Sequence, residues 1–524
     1  MEKHDVVVIG AGHNGLTVGA YLAKAGVDVC VLERLDQVGG GVITRELNLP
    51  GFKYDWCSTM HIMIQANPMI HRDELELKAK YGLKYIYPEP QLAMVFPDDR
   101  ALIVYRDVDK TAQSIAQFSK KDAAKYPKFV EYCRKLSKVA AVATFSPPIP
   151  FGRMMSLLDS SEDGREFMRV ILSSSLDIAF EWFESDQMRT LFSRYAAEGM
   201  VGPSEKGTGN AAFMFPLFHS WGFAMPEGGS GELSESLARC IRDHKGTVKV
   251  NSPVKTVIVE NGEAKGVRLE NGEEIMATRA IVSNLNVKQL FLQLLKPDEL
   301  PAGFPDKVGK LKQATFVPIN IFIALNEQLH YKAGKEVDNA AVVEINPFLD
   351  RSLQAYEEYT HGIPNWDLPL VSPASVADPT RAPKGKHALY FYHFEPYNLK
   401  DGGPQAWDKI KEKVADGMIE VSRRHITNFT DSNILARTVF SPLDYERHNP
   451  SFITGDFLHI GIFLDQLFAN RPMPGWGQYK TPIKKLYMCG ASTHPGGGVT
   501  GGGRAAVQVV MEDLKIDFKK VIAK

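Results

Sequence analysis

A chain of 524 residues is longer than a single hydrophobic core organises, so its length predicts two or three lobes. Hydrophobic residues make up 44% and charged residues 23%, which is typical of a globular enzyme, and the formal net charge of -1 provides no basic field for a nucleic acid partner. The five cysteines are odd in number, widely spaced and without a CxxC pair, which argues against a disulfide framework and against any structural metal site of the zinc type.

Residues 5–33 predict a strand, a helix and a second strand in succession. Residues 6–9 form a short, continuous apolar run, which is typical of a strand buried on both faces. A helix-like stretch follows as far as Ala25, and residues 27–32 form the second apolar run. This order indicates the first unit of a Rossmann-like parallel sheet.

Three glycines occupy the turn between the first strand and the helix with GxGxxG spacing. Gly10 permits a tight turn, Gly12 lets the backbone approach a pyrophosphate, and Gly15 allows the helix to pack closely on the strand. The N-terminus of the helix directs free N–H groups at the phosphates. Glu33, at the end of the second strand, is placed to accept hydrogen bonds from ribose hydroxyls and would repel a 2′-phosphate. The unit therefore predicts a dinucleotide site that does not suit an NADP-type ligand.

The loop at residues 34–41 follows the second strand directly. It begins with Arg34 and ends in Gly39, Gly40 and Gly41, small residues at which a bulky cofactor can press against the backbone. We expect this loop to lie beside the bound dinucleotide.

Residues 76–224 predict a largely helical lobe. A hairpin formed by residues 91–96 and 101–105 interrupts it, with a turn cluster between the two strands. The lobe ends in a stripe of aromatic residues and methionines that contains Phe215 and Trp221. Such a stripe is more often core than substrate wall, but its place before the next glycine-rich loop makes these two residues candidates for the substrate pocket.

Short strands follow the lobe. Runs at residues 254–260, 264–270 and 274–277 are separated by Asn-Gly pairs, which are strong hairpin signals, so they predict an antiparallel meander. Residues 280–284 are expected to return as a separate buried strand.

Two further apolar runs, at residues 316–325 and 388–394, predict a second sheet. Residues 367–386, rich in proline and polar residues, predict a surface loop between them.

The C-terminal region begins with a strand at residues 486–490 that meets a long glycine-rich loop at residues 491–503. Only about twenty residues follow, which is too few to complete a second βαβ unit of ~30 residues. We therefore expect an amide-lined loop and a helix N-terminus that contact the far end of the same cofactor.

Taken together, these motifs resemble the FAD-binding flavoproteins related to phytoene desaturase, a family that includes carotenoid isomerases and retinol saturases. The resemblance covers almost the whole chain and is most specific over residues 463–498. It implies FAD as the cofactor and an α/β fold, in which a Rossmann-like FAD-binding domain of the glutathione reductase type carries an inserted, mixed α+β substrate domain. The FAD-binding domain would comprise residues 1–75, 225–290 and 481–524, and the substrate domain residues 76–224 and 291–480.

The resemblance also implies further cofactor contacts. Val254 matches the position whose backbone faces adenine, and a C-terminal flavin-contact motif is matched by Gly490, Gly497, Gly498 and Val499. Many relatives have an arginine directly after the Gly-Gly pair, where this chain has Gly41. That difference leaves a phosphate or flavin contact to be supplied by Arg45 or by backbone amides.

The resemblance implies a reaction of the desaturase or dehydrogenase kind, with hydride transfer to flavin N5 from an apolar or unsaturated small molecule and a protein base for the proton. His61 and His219 are the favoured catalytic candidates, because their segments are expected near the substrate face of the flavin. His219 as a satisfied core histidine is the alternative for that residue. Weaker candidates for the base are Glu198, Asp465 and His494.

The electron acceptor is constrained by the lack of a second complete dinucleotide module. Oxygen, a quinone or a small redox partner is expected to reoxidise the flavin. Three other functions stay open: an isomerase or hydratase that uses reduced FAD, an enzyme resembling amine oxidases, and a non-catalytic FAD-binding protein that acts through interactions.

The first strand begins at about residue 5, which leaves no room for a cleavable signal, and no apolar run approaches the ~18 residues that cross a bilayer. We therefore expect a cytoplasmic protein. The apolar loop at residues 143–152 is more simply a buried connection, but peripheral contact with a membrane is the alternative.

Overall fold

The computed structural model describes residues 2–523, apart from the side chains of residues 139–143. The strands are β1 (Glu2–Ile9), β2 (Val29–Leu32), β3 (Thr44–Glu46), β4 (Lys53–Asp55), β5 (Tyr85–Ile86), β6 (Leu92–Val95), β7 (Ala101–Val104), β8 (Met225–Pro226), β9 (Thr247–Lys249), β10 (Val254–Glu260), β11 (Glu263–Leu269), β12 (Glu274–Ser283), β13 (Val317–Leu325), β14 (Val342–Ile345), β15 (Leu370–Ser372), β16 (His387–Glu395), β17 (Ile434–Phe440) and β18 (Leu486–Met488).

The helices are α1 (His13–Lys24), α2 (Ile62–Gln65), α3 (Pro68–His71), α4 (Val108–Ala116), α5 (Lys120–Thr144), α6 (Phe151–Asp159), α7 (Glu162–Leu172), α8 (Ser175–Trp182), α9 (Asp186–Ala196), α10 (Met214–Ser220), α11 (Gly231–Asp243), α12 (Val287–Gln293), α13 (Phe304–Gly309), α14 (Lys335–Asp338), α15 (Leu349–Thr360), α16 (Ala374–Ala377), α17 (Trp407–Arg423), α18 (Pro442–His448), α19 (Gly503–Asp513) and α20 (Phe518–Ile522).

The first large sheet has the order β10-β11-β12-β1-β2-β9, with β18 paired to β12. Strands β1, β2, β9, β12 and β18 run parallel to one another, and the hairpin of β10 and β11 pairs antiparallel with β12. Val6 and Val8 of β1 pack in the core that contains α1, α11 and α19, whereas Val7 and Ile9 pack in the core that contains α12 and α13. Because alternate residues of a strand face opposite sides, a strand covered on both faces needs the continuous apolar run that its sequence shows.

Strand β12 differs from its prediction. Residues 274–277 and 280–284 were expected to be separate strands, but one strand, Glu274–Ser283, spans both. Its first half pairs antiparallel with β11, and its second half pairs parallel with β18. The polar pair Thr278 and Arg279 interrupts the apolar pattern without ending the strand. The predicted Asn-Gly turn between β10 and β11 is confirmed, with φ of 52° at Asn261 and 73° at Gly262.

The second large sheet has the order β17-β13-β16-β15-β14-β6-β7. The two predicted central runs form β13 and β16, which pair antiparallel along their whole length, and the predicted hairpin forms β6 and the edge strand β7. The predicted surface loop at residues 367–386 is wrong in part, because it supplies β15 and also the buried Arg381. Arg381 is buried despite its charge because it pairs with the carboxylate of Asp55 at 2.9 Å.

The helical lobe, made mainly of α5 and α7 to α10, packs on the edge hairpin of the second sheet. Helix α5 extends into the predicted loop at residues 143–152, so that the connection to α6 is short. The carbonyl of Phe145 accepts a hydrogen bond from Arg504, which ties the connection to α19. Among the described helices, none is both long and apolar enough to cross a membrane.

Candidate functional site

A cavity of about 900 Å³ runs from the glycine turn after β1 to the helical lobe and the second sheet. The dinucleotide end is lined by the glycine turn, by the loop after β2 and by the start of β10. Ten of the predicted cofactor residues line it, namely Gly10, Gly12, Glu33, Arg34, Gly40, Gly41, Val254, Gly497, Gly498 and Val499. Gly15, Gly39 and Gly490 were also predicted as cofactor residues, but they pack behind the lining.

The glycines of the first turn have the geometry that their predicted roles require. Gly10 has a φ of +90°, which L side chains rarely adopt. A Cβ at Gly15 would lie 2.2 Å from the Gly10 carbonyl oxygen, so α1 can approach β1 only with glycine there. A Cβ at Gly12 would lie 2.5 Å from Nδ2 of Asn284. Asn284, at the end of β12, lies below the turn and lines the cavity, a position that no sequence signal revealed.

Glu33 is held in place by the backbone. One carboxylate oxygen accepts a hydrogen bond from the Ala11 N–H at 2.9 Å, and the other accepts one from the Leu35 N–H at 3.0 Å. Burial raises the pKa of Glu33, while these N–H groups oppose the rise. Each oxygen keeps a lone pair for a ribose hydroxyl. Glu33 therefore fits the ribose of the adenosine of FAD, and the adjacent glycine turn fits its pyrophosphate.

The loop after β2 closes against the same turn. The Gly39 N–H donates to the Ala11 carbonyl at 2.8 Å, which holds Gly40 and Gly41 at the cavity wall. Arg45 does not replace the arginine that relatives carry after the Gly-Gly pair, because its guanidinium pairs with Asp36 at 2.5 Å and does not line the cavity. Of the two predicted substitutes, backbone amides are the ones at the cavity wall.

The C-terminal glycine loop is organised by Arg471, which is fully buried. Its guanidinium donates hydrogen bonds to backbone carbonyls of two chain segments, those of Leu458, Ile460, Gly461, Gln466 and Ala491. Asp465, a weaker candidate for the base, pairs with Lys312 at 3.2 Å and lies outside the cavity lining. Arg471 thus shapes the wall that Gly497 and Gly498 complete, and its role was not predicted.

His61, a predicted catalytic residue, is fully buried and does not line the cavity. The hydroxyl of Ser230 donates to the Ser58 carbonyl, so Nε2–H of His61 donates to Ser230 Oγ at 3.0 Å. Nδ1 then accepts from the Tyr85 hydroxyl at 3.2 Å. Burial lowers the pKa of His61 to about 3, so the ring is neutral. His61 joins chain segments and is not positioned to take a proton from a ligand in the cavity.

His219, the other predicted catalytic residue, is also outside the cavity lining. Its Nδ1–H donates to the Arg106 carbonyl at 3.0 Å, and its Nε2 accepts from the Tyr126 hydroxyl at 2.8 Å. This is the satisfied core histidine that was the alternative. The two predicted pocket residues do not line the cavity either. Phe215 is 0% exposed within the helical core, and the Trp221 ring packs against the His71 ring with 5.7 Å between the ring centres.

The apolar end of the cavity is lined by helices α7, α9 and α10 and by one face of the second sheet. On β14 and β16 the lining residues are two apart, as Val342 with Glu344 and Tyr390 with Tyr392, because alternate residues of a strand face the same side. Other lining side chains are Phe167, Ile171, Tyr195, Phe213, Leu217 and Phe223. His494, a weaker catalytic candidate, also lines the cavity.

A charged cluster lies within this apolar wall. Nη1 of Arg194 lies 2.6 Å from Oε1 of Glu198, and Nε lies 2.9 Å from Oε2 of Glu344. Glu198 was a weaker catalytic candidate, whereas Glu344 was missed. A carboxylate within the apolar run of β14 was the signal that could have revealed it.

Glu344 is expected to make stability depend on pH. Burial raises the pKa of Glu344 to about 7 against the opposing effect of Arg194, and the charge of Glu198 adds to the rise. A folded-state pKa above the unfolded value stabilises the fold fully below the unfolded pKa, ~4.3, and this contribution is lost as the pH rises through about 7. Glutamine stays neutral at all these pH values. The free energy of unfolding of Glu344→Gln should therefore rise by about 1–3 kcal/mol relative to that of the wild type as the pH increases from 5 to 8. Urea denaturation of both proteins at several pH values measures this difference, and parallel pH profiles would contradict it.

Among the described residues, one group of potential metal ligands lies outside the cavity. The ligand atoms of Glu2, His4 and Cys30 lie within 4.8 Å of one another. Both ring nitrogens of His4 contact carboxylates, those of Glu2 and Asp28, and Glu2 also pairs with Lys249. Ion pairs thus account for the positions of Glu2 and His4.

Relatives of the chain are found among known oxidoreductases. Residues 15–358 match the family described as flavin containing amine oxidoreductase. Pyridine nucleotide-disulfide oxidoreductase domain-containing protein 2 of Rattus norvegicus is 30% identical over 98% of this chain and 94% of its own length. A limonene dehydrogenase polypeptide of Castellaniella defragrans is 27% identical, over 99% of this chain and 96% of its own length. A lycopene-forming phytoene desaturase of Pseudescherichia vulneris is 24% identical, over 97% of this chain and 99% of its own length.

A solved structure has the same fold. An oxidoreductase from Methanosarcina mazei aligns with a TM-score of 0.61 at 18% identity, over 97% of this chain and 100% of that one. The predicted α/β fold, with a Rossmann-like FAD-binding domain and an added mixed α+β domain, is confirmed. The predicted FAD cofactor, the oxidoreductase class and the resemblance to phytoene desaturases are confirmed as well by the family match and the relatives. The chain belongs to the flavin-containing amine oxidoreductase family.

Proposed function

We propose that the chain is an FAD-dependent dehydrogenase or desaturase that oxidises an apolar or unsaturated small molecule bound at the apolar end of the cavity. The observation that carries the proposal is the continuity of the cavity. The same cavity is lined by the glycine turn and Glu33 and by aromatic residues such as Phe167 and Tyr392. A dinucleotide and a second, apolar molecule can therefore share one cavity.

The relatives support the same substrate class. Two of them are named for limonene and phytoene, both of which are hydrocarbons. In such a reaction FAD supplies the hydride acceptor. The chain binds its adenosine and pyrophosphate through Glu33 and the glycine turn, and the apolar wall orients the second molecule and excludes water. Oxygen, a quinone or a small redox partner would then accept the electrons.

An anaerobic screen tests this function. The FAD-loaded protein is mixed with isoprenoid, fatty and aromatic compounds, and the absorbance of oxidised flavin is followed. We expect one of these classes to bleach the flavin, with one alkene formed or extended per flavin reduced. Free FAD with the same compounds is the control for direct reduction, and dithionite establishes that the bound flavin is reducible. Steady turnover of a compound with no acceptor would instead indicate an isomerase or hydratase.

A further inference from the structure

The apolar end of the cavity presents an unusual polar surface. This end is lined by α7, by α9 and the short 3₁₀ turn that follows it, by α10 and by the second sheet. Among the described lining residues of these elements, two have charged side chains, Glu198 and Glu344. Glu344 is 2% exposed, but 40% of the Glu198 side chain is accessible. Because Glu198 lines the cavity, its carboxylate is available to a ligand there.

Arg194 fixes that carboxylate from behind. It is itself only 1% exposed and does not line the cavity, and its guanidinium lies 4.8 Å from the centre of the Phe394 ring. Its contacts to Glu198 at 2.6 Å and to Glu344 at 2.9 Å come from two different elements, α9 with its following turn and β14. Burying the ionisable groups of Arg194 and Glu344 costs free energy that apolar residues of similar size would not. Groups of this kind are more frequent at binding and catalytic sites than elsewhere.

We propose that the Arg194–Glu198–Glu344 cluster is a binding subsite for a hydrogen-bond donor, either a hydroxyl or an ammonium group, on an otherwise apolar ligand. A carboxylate accepts hydrogen bonds and does not donate them, so Glu198 selects a donor and repels a ligand carboxylate. Arg194 occupies part of the Glu198 carboxylate, and the accessible part is left for the ligand. The subsite rests on the proposed function, because its ligand is the substrate of the same cavity.

The two kinds of donor differ in charge, and the cluster can accommodate either one. With Glu344 neutral, the charges of Arg194 and Glu198 balance, which suits a hydroxyl. With Glu344 ionised, the cluster has one negative charge in excess, which suits an ammonium. The raised pKa of Glu344, about 7, places both forms within reach near neutral pH. Tyr390 and Tyr392, stacked with ring centres 6.3 Å apart, supply an aromatic wall at the same end of the cavity.

Four probes with one alkyl chain test the subsite: 1-octanol, octylammonium, 1-methoxyoctane and octanoate. Their affinities for the FAD-loaded protein are measured by calorimetry, so that no turnover is required. We expect 1-octanol or octylammonium to bind most tightly, and the tighter of the two identifies the donor. The ether, which has an oxygen but no donor, should bind at least about tenfold more weakly, since a hydrogen bond to a charged group contributes about 1.5–3 kcal/mol.

Glu198→Gln, which keeps the shape of the side chain and removes its charge, should weaken the favoured donor probe by about tenfold and leave the ether unchanged. Glu205→Gln is the matched control, because Glu205 is exposed and outside the cavity lining. Equal affinity for all four probes, including no binding, would overturn the proposal, as would tightest binding of octanoate or an unaltered Glu198→Gln. A protein whose flavin no substrate bleaches would contradict the proposed function instead, whatever the calorimetry gives.

Discussion

Replacing Gly12 by valine should leave the protein folded and abolish its retention of FAD. Gly12 has φ of -66° and ψ of 161°, an extended conformation that valine adopts readily, so the backbone is not strained by the change. The steric effect is local. The new Cβ would lie 2.5 Å from Nδ2 of Asn284 at the wall where the pyrophosphate is expected. The Asn284 amide can rotate away, but the two methyl groups then occupy the pyrophosphate space.

The expected loss of FAD affinity is about 100-fold or more, since overpacking costs about 1–3 kcal/mol and lost hydrogen bonds to a charged phosphate about 1.5–3 kcal/mol. Flavin content after desalting and titration of the apoprotein with FAD measure it. Gly202→Val is the matched control, because a Cβ at Gly202 meets nothing within 4 Å and its φ is not positive. Retention of FAD by Gly12→Val at the level of that control would contradict the placement of the pyrophosphate.

The first dinucleotide-binding unit could be predicted because its signals are local. The first strand, the turn, the helix and the second strand follow one another within 33 residues. The glycines of the turn are required by close contacts with nearby residues: a Cβ at Gly15, for example, would lie 2.2 Å from the Gly10 carbonyl oxygen. The meander was predictable for the same reason, since Asn261 adopts the positive φ that an Asn-Gly turn requires.

The remaining parts of the site depend on contacts between distant segments. Asn284 meets the glycine turn only because β12 pairs with β1. Arg194 meets Glu344 across 150 residues of chain, and neither residue type is expected to be buried. His61 and His219 were placed near the flavin by their segments, but which side of a segment faces the cavity is decided by packing that one sequence does not reveal. His219 faces Tyr126 and the Arg106 carbonyl, away from the cavity.

Replacing Arg471 by methionine should destabilise the protein by about 3–5 kcal/mol and weaken FAD binding. Methionine fills much of the space but donates no hydrogen bond, so the carbonyls of Leu458, Ile460, Gly461 and Ala491 lose a buried donor. Each unsatisfied buried acceptor costs about 1–3 kcal/mol before the loop relaxes. Burial lowers the pKa of Arg471 to about 10, so the wild-type guanidinium is still charged at neutral pH and its bonds are charge-assisted.

Lysine should not rescue the position, because one ammonium cannot replace a planar fork that donates to two chain segments. Urea denaturation followed by tryptophan fluorescence measures the change in stability, and FAD titration measures the effect on the loop that carries Gly497 and Gly498. The control is Arg268→Met, which removes an exposed pair with Glu274 and is expected to cost at most about 1 kcal/mol. If Arg471→Met and Arg268→Met unfold alike and bind FAD equally well, Arg471 does not hold the two segments of the cavity wall together. A large loss of stability together with weakened FAD binding would instead establish that the C-terminal loop is built on the buried guanidinium.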